Sequence, residues 1–353
     1  MTTVVSETCV LNCTVTAPVT SHPVVYSVEM IRNVIRTTNM CIAVFGILTN
    51  LCNVEIFRRT GILESATSIT LFALTVTDLL SLVLFIVNPL LDFRIGTSPP
   101  LVYTLYVQVL YSFQMTYKMS TFFTVYLTVQ KCCCVALPLK FKFIFTIKKV
   151  LATLLVLTLV CFACYAPLFL SIGFRWAFIP RLNKTVVIPN YSPYRQTIVI
   201  ILYPLVLAAD PTISQVVVIS CLFVLTGKLK QATKFRMSSE LPGSKEPSKG
   251  AQLSGKELRA VQSVVVVAAM FVVCNLPSVL IMYASYVEPE FNDFRQLGEI
   301  YSLVGLVRIS LLLLCSSLNI FVYITYNSSY RQQVAALWRK LGTTRSLGKR
   351  EEK

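Results

Sequence analysis

From Ala260 to Val287 the chain carries no charged side chain. Six further stretches, near 37–57, 66–91, 101–130, 150–171, 196–226 and 298–325, are nearly as apolar. A helix rises about 1.5 Å per residue, so about 20 apolar residues cross the hydrocarbon core of a bilayer. The chain therefore reads as an all-α integral membrane protein, a seven-transmembrane helix bundle. Seven crossings put its two ends on opposite sides of the membrane.

Composition agrees with one membrane domain. Of 353 residues 55% are hydrophobic and only 14% charged, against about a quarter charged in soluble domains. The longest hydrophilic stretch, 227–259, is too short to bury a core of its own. There is no room for a soluble catalytic domain, so no enzyme is expected. The organisation predicted is an N-terminal extracellular segment over 1–36, the bundle over 37–326, and a cytoplasmic tail over 327–353.

The net charge of +16 invites a nucleic-acid reading, but the distribution of that charge argues against one. Of the 32 Lys and Arg, 21 fall in alternate loops and the C-terminal tail, and 8 in the opposite set. The positive-inside rule then places the N-terminus outside and the C-terminus in the cytoplasm. The basic excess marks a face turned toward anionic lipid. Acceptor triplets for N-glycosylation at Asn12, Asn183 and Asn190 all fall on the expected outer side, whereas Asn327-Ser328-Ser329 falls inside. Residues 1–30 lack both a basic start and a clean apolar run, so the first membrane helix is expected to act as its own insertion signal.

Of twelve cysteines, ten lie in or beside the apolar segments, and only Cys9 and Cys13 face the oxidising side. With one histidine, His22, and no repeated C-x-x-C, no metal site built on cysteine and histidine is expected. The run Cys132-Cys133-Cys134 fits either small buried side chains or lipidation sites at the inner surface.

Ionisable groups within a bilayer are costly, and each is a functional candidate. Here they are Glu55, Asp78, Lys118, Lys131, Asp210 and Arg308. Lys118 lies one residue, about 100°, off the cavity-facing stripe of the third span. Asp210 is the acid at comparable depth on a neighbouring span, and the two are expected to pair.

The settings of these groups carry a resemblance. Gly46-Ile-Leu-Thr-Asn50 and Leu74-Thr-Val-Thr-Asp78 occupy the first two spans, and the third ends Gln130-Lys131-Cys132-Cys-Cys-Val135-Ala-Leu-Pro138-Leu139. The sixth carries Phe271-Val-Val-Cys274-Asn275-Leu276-Pro277, and the seventh ends Asn319-Ile-Phe-Val-Tyr323 before Tyr330-Arg331. In order, one per helix, these resemble the signatures of rhodopsin-like (class A) G protein-coupled receptors. They look most like the molluscan chemosensory and peptide-receptor-like groups. The resemblance implies a short amphipathic eighth helix after Tyr326. It also implies a plasma-membrane receptor that binds an external small molecule or peptide and activates a heterotrimeric G protein through movement of helix 6.

Several positions depart from that family's pattern. Gln130 stands for its acid and Lys131 for its Arg, and Lys lacks the planar bidentate fork. Asn275 replaces an aromatic under the ligand. Ile320 replaces a proline, so the seventh helix keeps a backbone donor and is expected to bend less. The disulfide between the third helix and the second outer loop is missing at both ends, with Tyr106 near one position and no Cys in 171–196. No Lys on the seventh span and no acid in 101–130 set aside retinal and amine binding.

Periodicity selects one stripe on the third helix: Phe113, Tyr117, Ser120, Thr124 and Lys131. Its outer part, with Gln114 beside it, is the candidate ligand surface, although Phe113 and Tyr117 also fit ordinary packing. Trp176 and Arg175 on the outer loop are open in the same way. Arg308 either faces an aqueous pocket and an anionic ligand group or snorkels outward along lipid. By resemblance Asp78, Ser120 and Asn319 hold a sodium ion, which hard oxygen ligands suit, or a water network alone. Gln130, Lys131, Phe271, Asn275, Pro277 and Tyr323 are the switch and coupling candidates. A seven-helix transporter or channel, or a receptor-like protein that has lost coupling, remain as alternatives.

Overall fold

The computed structural model describes residues 23–95, 100–179, 184–239, 255–292, 295–326, 330–336 and 339. Helices α1 (Pro23–Thr60), α2 (Ala66–Ile95), α3 (Pro100–Ala136), the short α4 (Pro138–Ile144) and α5 (Ile147–Leu170) come first. A two-stranded antiparallel hairpin, β1 (Ile172–Ile179) and β2 (Lys184–Tyr191), follows. The fifth span combines α6 (Arg195–Tyr203), a π-helical segment (Pro204–Ala209) and α7 (Asp210–Ser239). Helix α8 (Gly255–Val287) is the sixth span, and α9 (Gly298–Ser317) with α10 (Asn319–Tyr326) makes the seventh.

Among the described residues seven helical spans are long and apolar enough to cross a membrane, from Ser27–Thr60 to Gly298–Tyr326. The predicted segments and these spans coincide except at the first, where the helix starts at Pro23. Its N-terminal extension is tied to the seventh span by an ion pair of Arg32 with Glu299. Residues 330–336 are helical, with Tyr330 buried against Phe57 and Tyr323 and its hydroxyl donated to Asn53. Asn12, Asn183 and Asn327 lie outside the described residues; Asn190 is exposed on β2.

Lipid tails are as apolar as leucine, so such bundles cohere through close packing and interhelical hydrogen bonds. The seam between α1 and α9 shows both. A side chain at Gly46 would overlap Ser317 and Leu82, so only glycine allows that approach. Next to it Asn50 Nδ2 donates to the Ser316 carbonyl at 2.9 Å, and Thr49 Oγ1 to the Ser317 carbonyl at 3.0 Å.

The all-α seven-helix architecture holds, with one short hairpin added in the connection over 171–196. The signal for the hairpin was present as alternating Phe174, Trp176 and Phe178. One expectation is corrected: the seventh helix is interrupted at Leu318 although Ile320 is not proline. Thr49 occupies the carbonyl that the Phe321 N–H would reach in a continuous helix, and that N–H turns to Leu318 O at 3.1 Å instead. The break is made by side chains of α1.

Candidate functional site

At mid-depth the third, fifth and sixth spans are joined by three polar contacts. Tyr117 Oη donates to Asn275 Oδ1 at 2.8 Å, linking α3 to α8. Lys118 Nζ lies 2.7 Å from Asp210 Oδ2, linking α3 to α7. Gln215 Nε2 reaches the Val272 carbonyl at 3.5 Å, linking α7 to α8. Neighbouring residues on α3 thus face different helices, as 100° per residue requires. The π-helical segment contributes to the second contact. Its Asp210 N–H bonds back five residues to Leu205 O, and the extra residue sets the phase of α7 relative to α6.

The sequence flagged Asn275 as a departure, and the structure gives it a partner. Its amide nitrogen donates to Phe271 O at 3.0 Å while its oxygen accepts from Tyr117. One residue on, Leu276 precedes Pro277, which sits inside α8 and cannot donate a backbone hydrogen bond. Phe271 packs with Val218 and Ala268, against which Cys315 also lies. Above Tyr117, Phe113 is buried against Phe85 with ring centres 5.6 Å apart, and 6.5 Å from Tyr117. Gln114 is half-buried on α3, Arg308 half-buried on α9, and Trp176 exposed on β1.

Below Tyr117 lies a polar cavity of about 10 Å³, lined by Asp78, Tyr117, Ser120, Thr124, Phe271, Cys315, Ser316 and Asn319. That is room for about one water-sized guest. Asp78 is 1% exposed, and its two oxygens accept from Ser120 Oγ at 2.6 Å and Asn319 Nδ2 at 2.9 Å. Ser316, which the sequence reading missed, lines the same cavity. A carboxylate ringed by hydroxyl oxygens is a hard donor set, and each hydroxyl keeps lone pairs after donating. The residues fit a small hard cation.

At the C-terminal end of α3, Gln130 and Lys131 are buried and turn to α2. Lys131 Nζ donates to Thr67 Oγ1 at 2.6 Å, and Thr70 Oγ1 approaches Gln130 Oε1 at 3.5 Å. Tyr323 packs edge-on to Phe57 and Tyr330 at 5.7 and 5.6 Å. Glu55 is answered locally by Arg58 and Arg59 at 2.9 and 2.6 Å.

The model of the family described as serpentine type 7TM GPCR chemoreceptor Srw matches residues 37–340. The chain belongs to that family. The chemoreceptor is therefore of the G protein-coupled receptor kind, a multi-pass membrane protein and not an enzyme. No curated protein matches it.

In this chemoreceptor the N-terminal part of α3 has a hydrogen-bonded staple. Gln108 Nε2 donates to Phe169 O at 3.3 Å and Ile172 O at 3.0 Å. Arg195 donates to Ser171 Oγ and to Tyr111 Oη, both at 3.1 Å, and its guanidinium sits 5.3 Å from the Tyr191 ring centre. These contacts tie α3 to the root of the hairpin where the resembled pattern has a disulfide. Neither Gln108 nor Arg195 was singled out in the sequence. Arg195 was legible only as a cation at the mouth of the fifth span.

Proposed function

We propose that this chemoreceptor carries an extracellular chemical signal to a heterotrimeric G protein through an outward swing of the sixth span, as in rhodopsin-like receptors. The observation that supports this reading is the three-way polar contact of α3, α7 and α8 beside Pro277. It joins the helices that such a swing must separate, at the foot of the Phe85–Phe113–Tyr117 column. A ligand, a small chemical cue or a neuropeptide, would act on Phe113, Gln114 and Tyr117, with Arg308 receiving an anionic group. Preferential binding to the opened form then shifts the population. Lys131 and the basic inner ends of the third, fifth and sixth spans would meet the G protein.

The test is nucleotide exchange on a heterotrimeric G protein by the protein in lipid vesicles, with peptide and small-molecule collections as ligands. Ligand-dependent exchange supports the reading. Ion flux in vesicles without G protein would favour a channel or transporter. A ligand that shifts the protein's thermal stability without exchange would mark a receptor that no longer couples.

The charge asymmetry supports a plasma-membrane orientation with the N-terminus outside. Asn183 is then expected to carry glycan and Asn327 none, since only the former faces the lumen during synthesis. Glycosidase shifts on Asn183→Gln and Asn327→Gln variants check this. A shift abolished only by the second substitution would reverse the orientation.

A sodium ion near Asp78 is part of the same proposal, with Asp78, Ser120 and Ser316 as its oxygen donors and Asn319 holding the carboxylate. Such an ion supplies positive charge to a buried carboxylate and steadies the closed bundle. Replacing choline chloride by sodium chloride should raise the melting temperature of the wild type and leave Asp78→Asn unmoved. Equal responses of the two would leave water as the guest.

A further inference from the structure

The outer hairpin has two unlike faces. Side chains alternate along a strand, so Phe174, Trp176 and Phe178 of β1 share a face with their cross-strand partners Pro189, Val187 and Thr185. The opposite face carries Arg175 and Asn190 beside Ala177 and Ile188. The three aromatic residues are 47, 75 and 58% exposed, so no described residue covers that face. Ile172, at the root of the same face, is buried among residues of α3, α5 and the fifth span. At its root the aromatic face is therefore the one turned toward the bundle.

Its surroundings are the outer ends of two membrane spans. Leu170, the last residue of α5, is 83% exposed. Tyr194, just before α6, and Ile200 and Ile201 within it are also exposed. The hairpin connects the ends of these two spans, so its exposed aromatic face lies in the chain between their exposed apolar side chains. Rings with an apolar body and a polar edge favour the headgroup region of a bilayer.

We propose that the aromatic face of the hairpin rests in the headgroup layer of the membrane, with Trp176 as its anchor. Arg175 and Asn190 then look into water from the other face. The membrane holds the free end of the hairpin, and the Gln108 and Arg195 contacts hold its root. This inference rests on the membrane-spanning fold and not on coupling to a G protein, and its test needs neither ligand nor partner.

Trp176 and Trp338 are the two tryptophans of the chain. The full-length Trp338→Phe protein, reconstituted in zwitterionic phospholipid vesicles, therefore reports on Trp176 alone. The expected result is blue-shifted emission, quenched by lipids brominated near the headgroup end of the chain and spared by aqueous iodide. Adding Phe174→Ser and Phe178→Ser should shift the emission to the red and restore iodide quenching, with folding checked by melting temperature. Quenching by iodide alone would overturn the proposal and leave the face open to a ligand or protein partner. Quenching by neither agent would overturn it too, because the face would then be covered by protein.

Discussion

Lys118→Met and Asp210→Asn are each expected to strip most of the protein from the cell surface, and the charge swap to bring much of it back. The pair spans two helices with side chains only 12 and 23% exposed, separated by 2.7 Å. Removing one partner strands a charge in a low-dielectric setting, at a cost of about 3–5 kcal/mol. Folded proteins are stable by only about 5–15 kcal/mol, so either loss is large. Neutralising both sides at once, Lys118→Met with Asp210→Leu, should harm less than either single change, because nothing charged is left behind. Surface antibody binding against total expression, and the melting temperature in detergent, provide the readout. Single variants at wild-type level, or damage that adds in the swap, would mean that the two side chains do not act as a pair.

The second large effect concerns signalling. Tyr117→Phe keeps the ring in the Phe113 column but removes the hydroxyl that Asn275 accepts from. The lost contact is worth ~1 kcal/mol, which moves a two-state balance roughly fivefold toward the open form. Basal nucleotide exchange should rise by about that factor, and Asn275→Leu should act in the same direction. The double variant should do no more than the stronger single one, since both remove the same bond. Effects that add, or basal exchange that does not move, would reduce the contact to ordinary packing. Spin labels placed through a genetically encoded amino acid at Lys140 and Arg259 give a second readout, the spacing between α4, which follows α3 directly, and the start of α8. A wider distance distribution without exchange would leave the latch intact and remove the coupling.

The seven spans were legible because length and absence of charge follow from the bilayer itself. Lys118–Asp210 was legible because helical phase and the cost of an intramembrane charge together leave few partners. Asp78, Ser120 and Asn319 were legible through resemblance, and the structure brings them together. What escaped needed information that no single segment holds. Asn275 looked like the loss of an aromatic, because its value lies in a hydroxyl 158 positions away in the chain. Gln130 and Lys131 looked like departures from the resembled pattern, whereas Thr70 of α2 donates to the first and Thr67 accepts from the second. The hairpin escaped because 171–196 was weighed for its missing cysteine and its single residues Arg175 and Trp176 rather than for the alternation of its aromatic positions.

The break at Leu318 carries a lesson about where the shape of the seventh helix comes from. No residue of the seventh span itself demands the interruption; its cause is a threonine and an asparagine almost 270 positions earlier. A membrane helix that leaves the translocation machinery alone has every reason to be straight, since its own carbonyls are then its best partners. At the break the first and last spans meet, and the glycine at 46 is what lets them come close enough. Shape in this helix is therefore held jointly by spans from the two ends of the chain.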